Sequence, residues 1–555
     1  MSYESPEIGE RPRVAYFCME YGLDESLPIY SGGLGVLAGD FMRSAHALAL
    51  PVVGVGIVWG QGYTTQRIAA AGTNEDHPTP HDRRHLQKLA PTVTVTIAGR
   101  VVPLAIFRVH GLNTAPLYLL EPVEAHDRWI TARLYGGGSD DRIAQEIVLG
   151  IGGVRALQAL GIEVDLFHFN EGHALFAGFE LIRQARGRGL DFDDAWAETR
   201  QQIVFTTHTP IDAGNEQHAI ERLEAQGATL GLTTTQLTQL GGSPFNMTVG
   251  ALRLSRAANG VAQLHGETAR DMWRHVDEAA PIASITNGVD ARVWQDARVR
   301  AAATGNDDDA LDAARAACKR ELCMEVAARS GVVLDPDLLT IGFARRATAY
   351  KRATLLFADE QRMAELLERG PVQLVYAGKA HPRDAGGQAL VAEMVQLSRR
   401  YGGRVVFVPN YDLALGRALT RGVDVWLNTP RRPLEACGTS GMKAAMNGVL
   451  NCSILDGWWP EACDHGHNGW AIGDHLLDDE AGDAADAAAL YALLEDEIIP
   501  TFYENRARWR QLMRASIAAT EDAFSADRML RDYYAQLYRR PDASFNRQRR
   551  AAANE

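Results

Sequence analysis

Short apolar runs alternate with amphipathic stretches along most of the chain, a pattern that predicts strands separated by helices. Val14 to Phe17 reads as a strand, and the glycine-rich turn Ser31-Gly32-Gly33-Leu34-Gly35 follows it. A helical stretch from about Val36 to Leu48 then leads into the strand-like PVVGVGIVW. Residues 92–121 differ. Their β-branched positions alternate around Ala98-Gly99-Arg100, which predicts an antiparallel hairpin inserted in the sheet. Strand–helix units resume with DLFHFN, the helical ALFAGFELIRQAR, then IVFTTHTP and ASITNGVD.

The second half is more regular. LLTIGFA, VQLVYAGK, RVVFVPN, VDVWLN and VLNCSIL are apolar strands with helical patterns between most of them, the signature of a parallel sheet covered on both faces. The stretch 296–335, rich in Ala, Asp and Arg, reads as a linker between a first domain at 1–295 and a second at 336–485. Helices carrying Trp and Tyr occupy 486–555 and end in a frayed polar tail, FNRQRRAAANE. The expected fold is α/β: two doubly wound Rossmann-like domains facing a central cleft, where ligands gather at the carboxyl ends of the strands.

At 555 residues the chain exceeds what one core usually organises, which supports two domains. Its net charge of −14 argues against a general nucleic-acid binder, although one small anion needs only a local positive pocket. There is no secretory pattern at the N-terminus and no apolar run long enough to span a bilayer, so a cytoplasmic protein is expected. The six cysteines form no CxxC pair, and neither disulfides nor a metal site are suggested.

The most informative stretch is Pro433-Leu434-Glu435-Ala436-Cys437-Gly438-Thr439-Ser440-Gly441-Met442-Lys443, between the strand VDVWLN and the helical AAMNG. Small residues at a helix start let backbone N–H groups approach an anion, and a lysine one turn on can bond an aldehyde cofactor. Local features alone are equally served by a glycine-rich turn with a solvated lysine. A second segment, Arg345-Arg346-Ala347-Thr348-Ala349-Tyr350-Lys351-Arg352, directly follows LLTIGFA and pairs an Arg fork with a Lys point charge, as phosphate binding requires. Its plainer reading is an exposed basic turn. His208, Asn287 and His173 each lie at or just after a strand, where a structural histidine or an Asn-Gly turn would serve equally.

Glu435 to Lys443, with its flanks RRPLEACGTSGMKAAMNGVLNCSILDGWW, resembles the cofactor-lysine signature of the glycogen (α-glucan) phosphorylase family, in its compact bacterial and archaeal form. The likeness runs from about Ala15 to about residue 540. The resemblance implies phosphorolysis of the terminal α-1,4-linked glucose of glycogen or maltodextrin to α-D-glucose 1-phosphate, with pyridoxal 5'-phosphate bound to Lys443. It assigns Thr439, Gly438, Arg345 and Gly33 to the cofactor, and Arg346 and Lys351 to the substrate phosphate. Glu435, Asn287, His208 and His173 fall to the sugar, with Gly32 and Leu34 of the glycine loop also toward substrate. Cys437 stands where the family usually has serine, and Val36 where the long members carry arginine. Thr348-Ala349 replaces a His-Glu pair, and Glu171-Gly172 departs from Asn-Asp-Thr-His. A homo-oligomer is left open. The rival readings are a nucleotide-sugar glucan synthase of the same architecture and a catalytically silent glucan binder; no carboxylate pair singles out a glycoside hydrolase.

Overall fold

A computed structural model describes residues 11–62, 64–79, 82–211, 214–369, 372–473 and 480–539. The first half builds a nine-stranded sheet. From one edge its order is Ile282–Ser284, Ala257–Gly260, Ile203–Thr206, Leu166–Asn170, Val14–Phe17, Val52–Ile57, Leu117–Pro122, Arg100–Val109 and Leu86–Ile97. Every pairing is parallel as far as Leu117–Pro122, and the last two strands are antiparallel. The hairpin around Ala98 and Gly99, both at positive φ, therefore extends the sheet at its edge. The second half builds an all-parallel six-stranded sheet, Val405–Val408, Val372–Ala377, Leu339–Ala344, Val425–Asn428, Leu450–Ile454 and Gly469–Ile472. Mixed α/β architecture with extended parallel sheets agrees with the alternating pattern.

Two strands of these two sheets have no counterpart in the sequence reading. Ala257–Gly260 contains Asn259, which is fully buried because Thr206 Oγ1 donates to its Oδ1 at 2.7 Å. Gly469–Ile472 is a short edge strand. The stretch 296–335, read as the junction between the domains, folds into the helices Ala297–Thr304 and Asp308–Ser330. Alanines favour the helix, Asp307 caps it at the Ala310 N–H, and Leu311, Cys318, Leu322 and Val326 bury one face. The polar tail lies outside the described residues.

One apolar core runs under the first sheet and another under the second. The chain's last described turn returns to the first core, where the Tyr538 hydroxyl meets His168 Nδ1 at 2.7 Å and Tyr533 packs on the same imidazole. Among the described residues no helix is long and apolar enough to cross a membrane.

Candidate active site

The carboxyl ends of strands from both sheets open on one cavity of about 940 Å³. Every residue singled out in the sequence lines it: Lys443, Thr439, Gly438, Glu435, Lys351, Arg346 and Arg345 from the second half, with Asn287, His208, His173, Leu34, Gly33 and Gly32 from the first. Segments some four hundred residues apart in sequence therefore share one space.

The basic turn is built around a carboxylate. Lys351 Nζ donates to Glu435 Oε2 at 2.8 Å, and Arg345 Nη1 stands 2.9 Å from the same oxygen. Burial alone would raise the Glu435 pKa, but Arg345 and Lys351 outweigh it and hold the carboxyl at about 2. Burial and Arg345 push the Lys351 amine down to about 8, with Glu435 partly offsetting them. Arg346 is exposed and forms no ion pair among the described residues. Asp456 accepts from the Glu435 N–H at 2.9 Å, and burial raises its own carboxyl to about 7.

Lys443 lies on the short helix Thr439–Ala445 and is 7% exposed. Its amine sits 3.7 Å from the Trp294 ring centroid, and Trp294 Nε1 donates to Asp40 behind it at 2.9 Å. Burial lowers the amine to about 8, with Asp40 opposing. The amine has no hydrogen-bond acceptor among the described residues and lies on the cavity wall. Gly438 is left-handed, at φ 81°, and a Cβ there would stand 3.3 Å from Arg345 Nη2. Glycine thus lets a guanidinium approach the helix start. A free buried amine beside an Arg-lined helix start fits a phosphate-bearing aldehyde such as pyridoxal phosphate.

The first-half residues expected to meet the sugar are neutral. His208 has its pKa pushed down to about 3 by burial and by neighbouring imidazoles, and its Nε2 meets Asn170 Oδ1 at 2.7 Å. With that carbonyl accepting, Nε2 carries the proton and Nδ1 is left as an acceptor. Asn287 is 3% exposed, and its Oδ1 has no partner. His173 Nδ1 is likewise buried without one.

Glu20 was not foreseen, because a lone acid after a strand carries no motif. It is 3% exposed, and its Oε2 accepts from the Ser31 and Gly32 amides at 2.6 and 3.1 Å while Tyr135 donates to Oε1 at 2.7 Å. The Gly32 N–H expected to face substrate is therefore committed to Glu20. Among the described residues no acceptor faces the amides of Gly33 and Leu34, at the start of the helix Gly33–Ala47. Glu20→Ala would strand the Ser31 and Gly32 amides and the Tyr135 hydroxyl, and charged hydrogen bonds contribute roughly 1.5–3 kcal/mol each. We expect a thermal midpoint several degrees lower and a weaker phosphate response, with Glu20→Gln milder. Unchanged melting in both variants would mean that the loop holds itself.

A carbohydrate phosphorylase family profile matches residues 299–465. The chain is 40% identical over 586 residues to a maltodextrin phosphorylase of Thermococcus litoralis, an alignment covering 95% of this chain and 70% of that protein. It is 35% identical to a glycogen phosphorylase of Aquifex aeolicus, covering 95% of this chain and 86% of the relative. An uncharacterized protein of Methanocaldococcus jannaschii is 37% identical over 95% of this chain and 99% of its own length. With this cavity, and with relatives aligned along nearly its whole length, the chain belongs to the α-glucan (carbohydrate) phosphorylase family.

Proposed function

We propose that this protein is an α-1,4-glucan phosphorylase, which cleaves the terminal glucose of glycogen or maltodextrin with inorganic phosphate and releases α-D-glucose 1-phosphate with retained configuration. The carrying observation is the convergence of Lys443, the Arg345–Lys351 turn and the neutral acceptors of the first half on one cavity. In this reading the two sheets belong to two Rossmann-like domains, about 1–295 and 336–485, facing a cleft in the GT-B manner.

Lys443 holds pyridoxal phosphate, with Arg345, Gly438, Thr439 and Gly33 around its phosphate. When bound, this cofactor supplies a phosphate that exchanges a proton near neutral pH, its second pKa lying about 6. Arg346 and Lys351 grip the substrate phosphate, and the Leu34 amide adds a donor. Two anions brought together repel, and these cations neutralise them. Glu435 accepts from glucose hydroxyls, while His208 and Asn287 receive O6. The His208 carbonyl steadies the positive charge that develops at the anomeric carbon.

Incubating maltodextrin with the purified chain, with and without phosphate, tests the reading. Glucose 1-phosphate should form only with phosphate. Glucan binding without phosphorolysis would favour a silent binder, and transfer from a nucleotide sugar would favour a synthase.

The unpartnered Asn287 Oδ1 gives a sharper expectation. 6-Deoxyglucose 1-phosphate should be a poor donor in the synthetic direction, by about 10–100-fold, since a buried hydrogen-bonding group loses its partner at roughly 1–3 kcal/mol. The penalty should shrink in Asn287→Ala. Equal use of both donors would remove the O6 contacts, and a full penalty in the variant would assign them to His208.

A further inference from the structure

Along the wall that the first half contributes to the cavity, donor side chains converge that phosphorolysis does not use. Glu146 lies on the helix Ser139–Ile147, Glu216 stands just before the strand Gln217–His218, and His218 ends that strand. One ligand atom from each lies within 4.8 Å of the others. Glu146 is fully buried and His218 is 3% exposed. Among the described residues neither Glu146 oxygen accepts a hydrogen bond, and His218 Nε2 makes none. Glu216 Oε1 is 3.1 Å from that nitrogen.

The neighbouring charges do not balance. Arg142 Nε donates to both Glu216 oxygens, at 3.2 and 3.0 Å, and stands 3.7 Å from Glu146 Oε1. One guanidinium thus faces two carboxyl groups, hydrogen-bonded to Glu216 and only ion-paired to Glu146, so a further cation would complete the pairing. The rest of the cluster has the supports that ligands need. Ser139 Oγ meets His218 Nδ1 at 2.9 Å, which orients the ring with Nε2 toward the carboxylates. The other mixed cluster among the described residues, Asp296, Cys318 and Glu321, is different, because Arg298 already bonds all three.

We propose that Glu146, Glu216 and His218 bind a divalent transition-metal ion of the zinc class. Two carboxylate oxygens and one imidazole nitrogen are ordinary zinc donors, and three protein ligands leave a position for water or a sugar hydroxyl. Glu216 and His218 line the cavity, so that position opens toward it. The ion ties the helix Ser139–Ile147 to the strand Gln217–His218 and fixes the wall that also carries His173. The spacing, an E-x-H with a glutamate seventy residues upstream, matches no compact zinc signature, so the sequence could not announce it.

The site stands independently of the proposed reaction, and its test reads metal, not turnover. Full-length protein is purified without chelator and analysed for bound metal, then stripped with EDTA and titrated with Zn²⁺ and with Co²⁺. We expect about one ion per chain, visible Co²⁺ ligand-field bands in the difference spectrum, and a higher thermal midpoint with Zn²⁺. Glu146→Gln keeps the side-chain shape and His218→Ala removes the nitrogen donor. Each should weaken zinc binding at least about tenfold and abolish the Co²⁺ bands. The proposal is overturned if stripped wild-type protein binds no zinc in large excess, or if folded variants bind it as well as wild type. The first result would leave a proton shared between the two glutamates.

Discussion

Lys443→Ala is expected to cut phosphorolysis by at least about 10²-fold, while the chain stays folded and still binds maltodextrin. The size follows from the loss of proton exchange next to the reacting bond, which alone contributes roughly 10²–10⁴-fold. The amine is prepared for covalent attachment. Lowered to about 8, it is about 10% neutral at pH 7, against about 0.03% for an ordinary lysine. Because the neutral amine is the nucleophile, attachment of added pyridoxal phosphate to stripped enzyme should quicken as pH rises toward 8 and level off above it. Lys443→Arg keeps the cation over Trp294 yet offers no such nucleophile, so it should be as inactive as the alanine variant. Borohydride reduction followed by peptide mass analysis should find the pyridoxyl group on Lys443. A label on Lys351 or on Lys379, the other lysines lining the cavity, or an active arginine variant, would overturn the assignment.

Much of the scaffold was legible because its strands are apolar runs bounded by glycine and polar turns. LLTIGFA and VDVWLN are both fully buried along their strand residues; LLTIGFA hands Arg345 and Arg346 directly to the cavity, and the turn after VDVWLN reaches it at Glu435. Ala257–Gly260 escaped notice because its burial depends on Asn259 being satisfied by Thr206 and Tyr533, a tertiary condition with no local pattern. The helix Asp308–Ser330 went unread within the junction because alanines and charges outnumber its large apolar residues. Its buried Arg315 and Lys319 find acceptors in distant carbonyls and in Asp424, which only the folded chain supplies.

The site was legible where motif residues line the cavity themselves and hidden where they are supported from afar. Glu20, Asp40 and Trp294 each act on a motif residue from another segment, and nothing local marks them. The departures from the long members fit this picture in part. Val36 packs in an apolar cluster with Trp294 and Cys437, where an arginine would need a partner. Thr348 Oγ1 is buried without a hydrogen bond, and nothing in the structure explains it.

Glu435→Gln and Lys351→Ala should push phosphate use in opposite directions. Glu435 neutralises two cations, Lys351 at 2.8 Å and Arg345 at 2.9 Å, and it is ionised throughout the working pH range because they hold it at about 2. Substituting glutamine removes that anion while keeping the side chain's shape. Arg345, Arg346 and Lys351 then face an incoming phosphate with no internal competitor, so phosphate should bind at least as tightly as in wild type. Turnover should nevertheless fall about 10–100-fold, since a charged acceptor for glucose hydroxyls contributes roughly 1.5–3 kcal/mol. Lys351→Ala removes a cation instead, and phosphate use should weaken at least about tenfold. The pH dependence has a defined sign. Lys351 is cationic below about 8, and Glu435 supports that charge, so losing Glu435 lowers the amine further. In Glu435→Gln the phosphate response should therefore decline at a lower pH than in wild type as pH rises, and the comparison is cleanest near pH 6. Phosphate KM and kcat measured from pH 6 to 9 decide the matter. Equal weakening of phosphate in both variants, with an unmoved alkaline limb, would reduce the Glu435 ion pairs to scaffolding and withdraw Glu435 from the sugar.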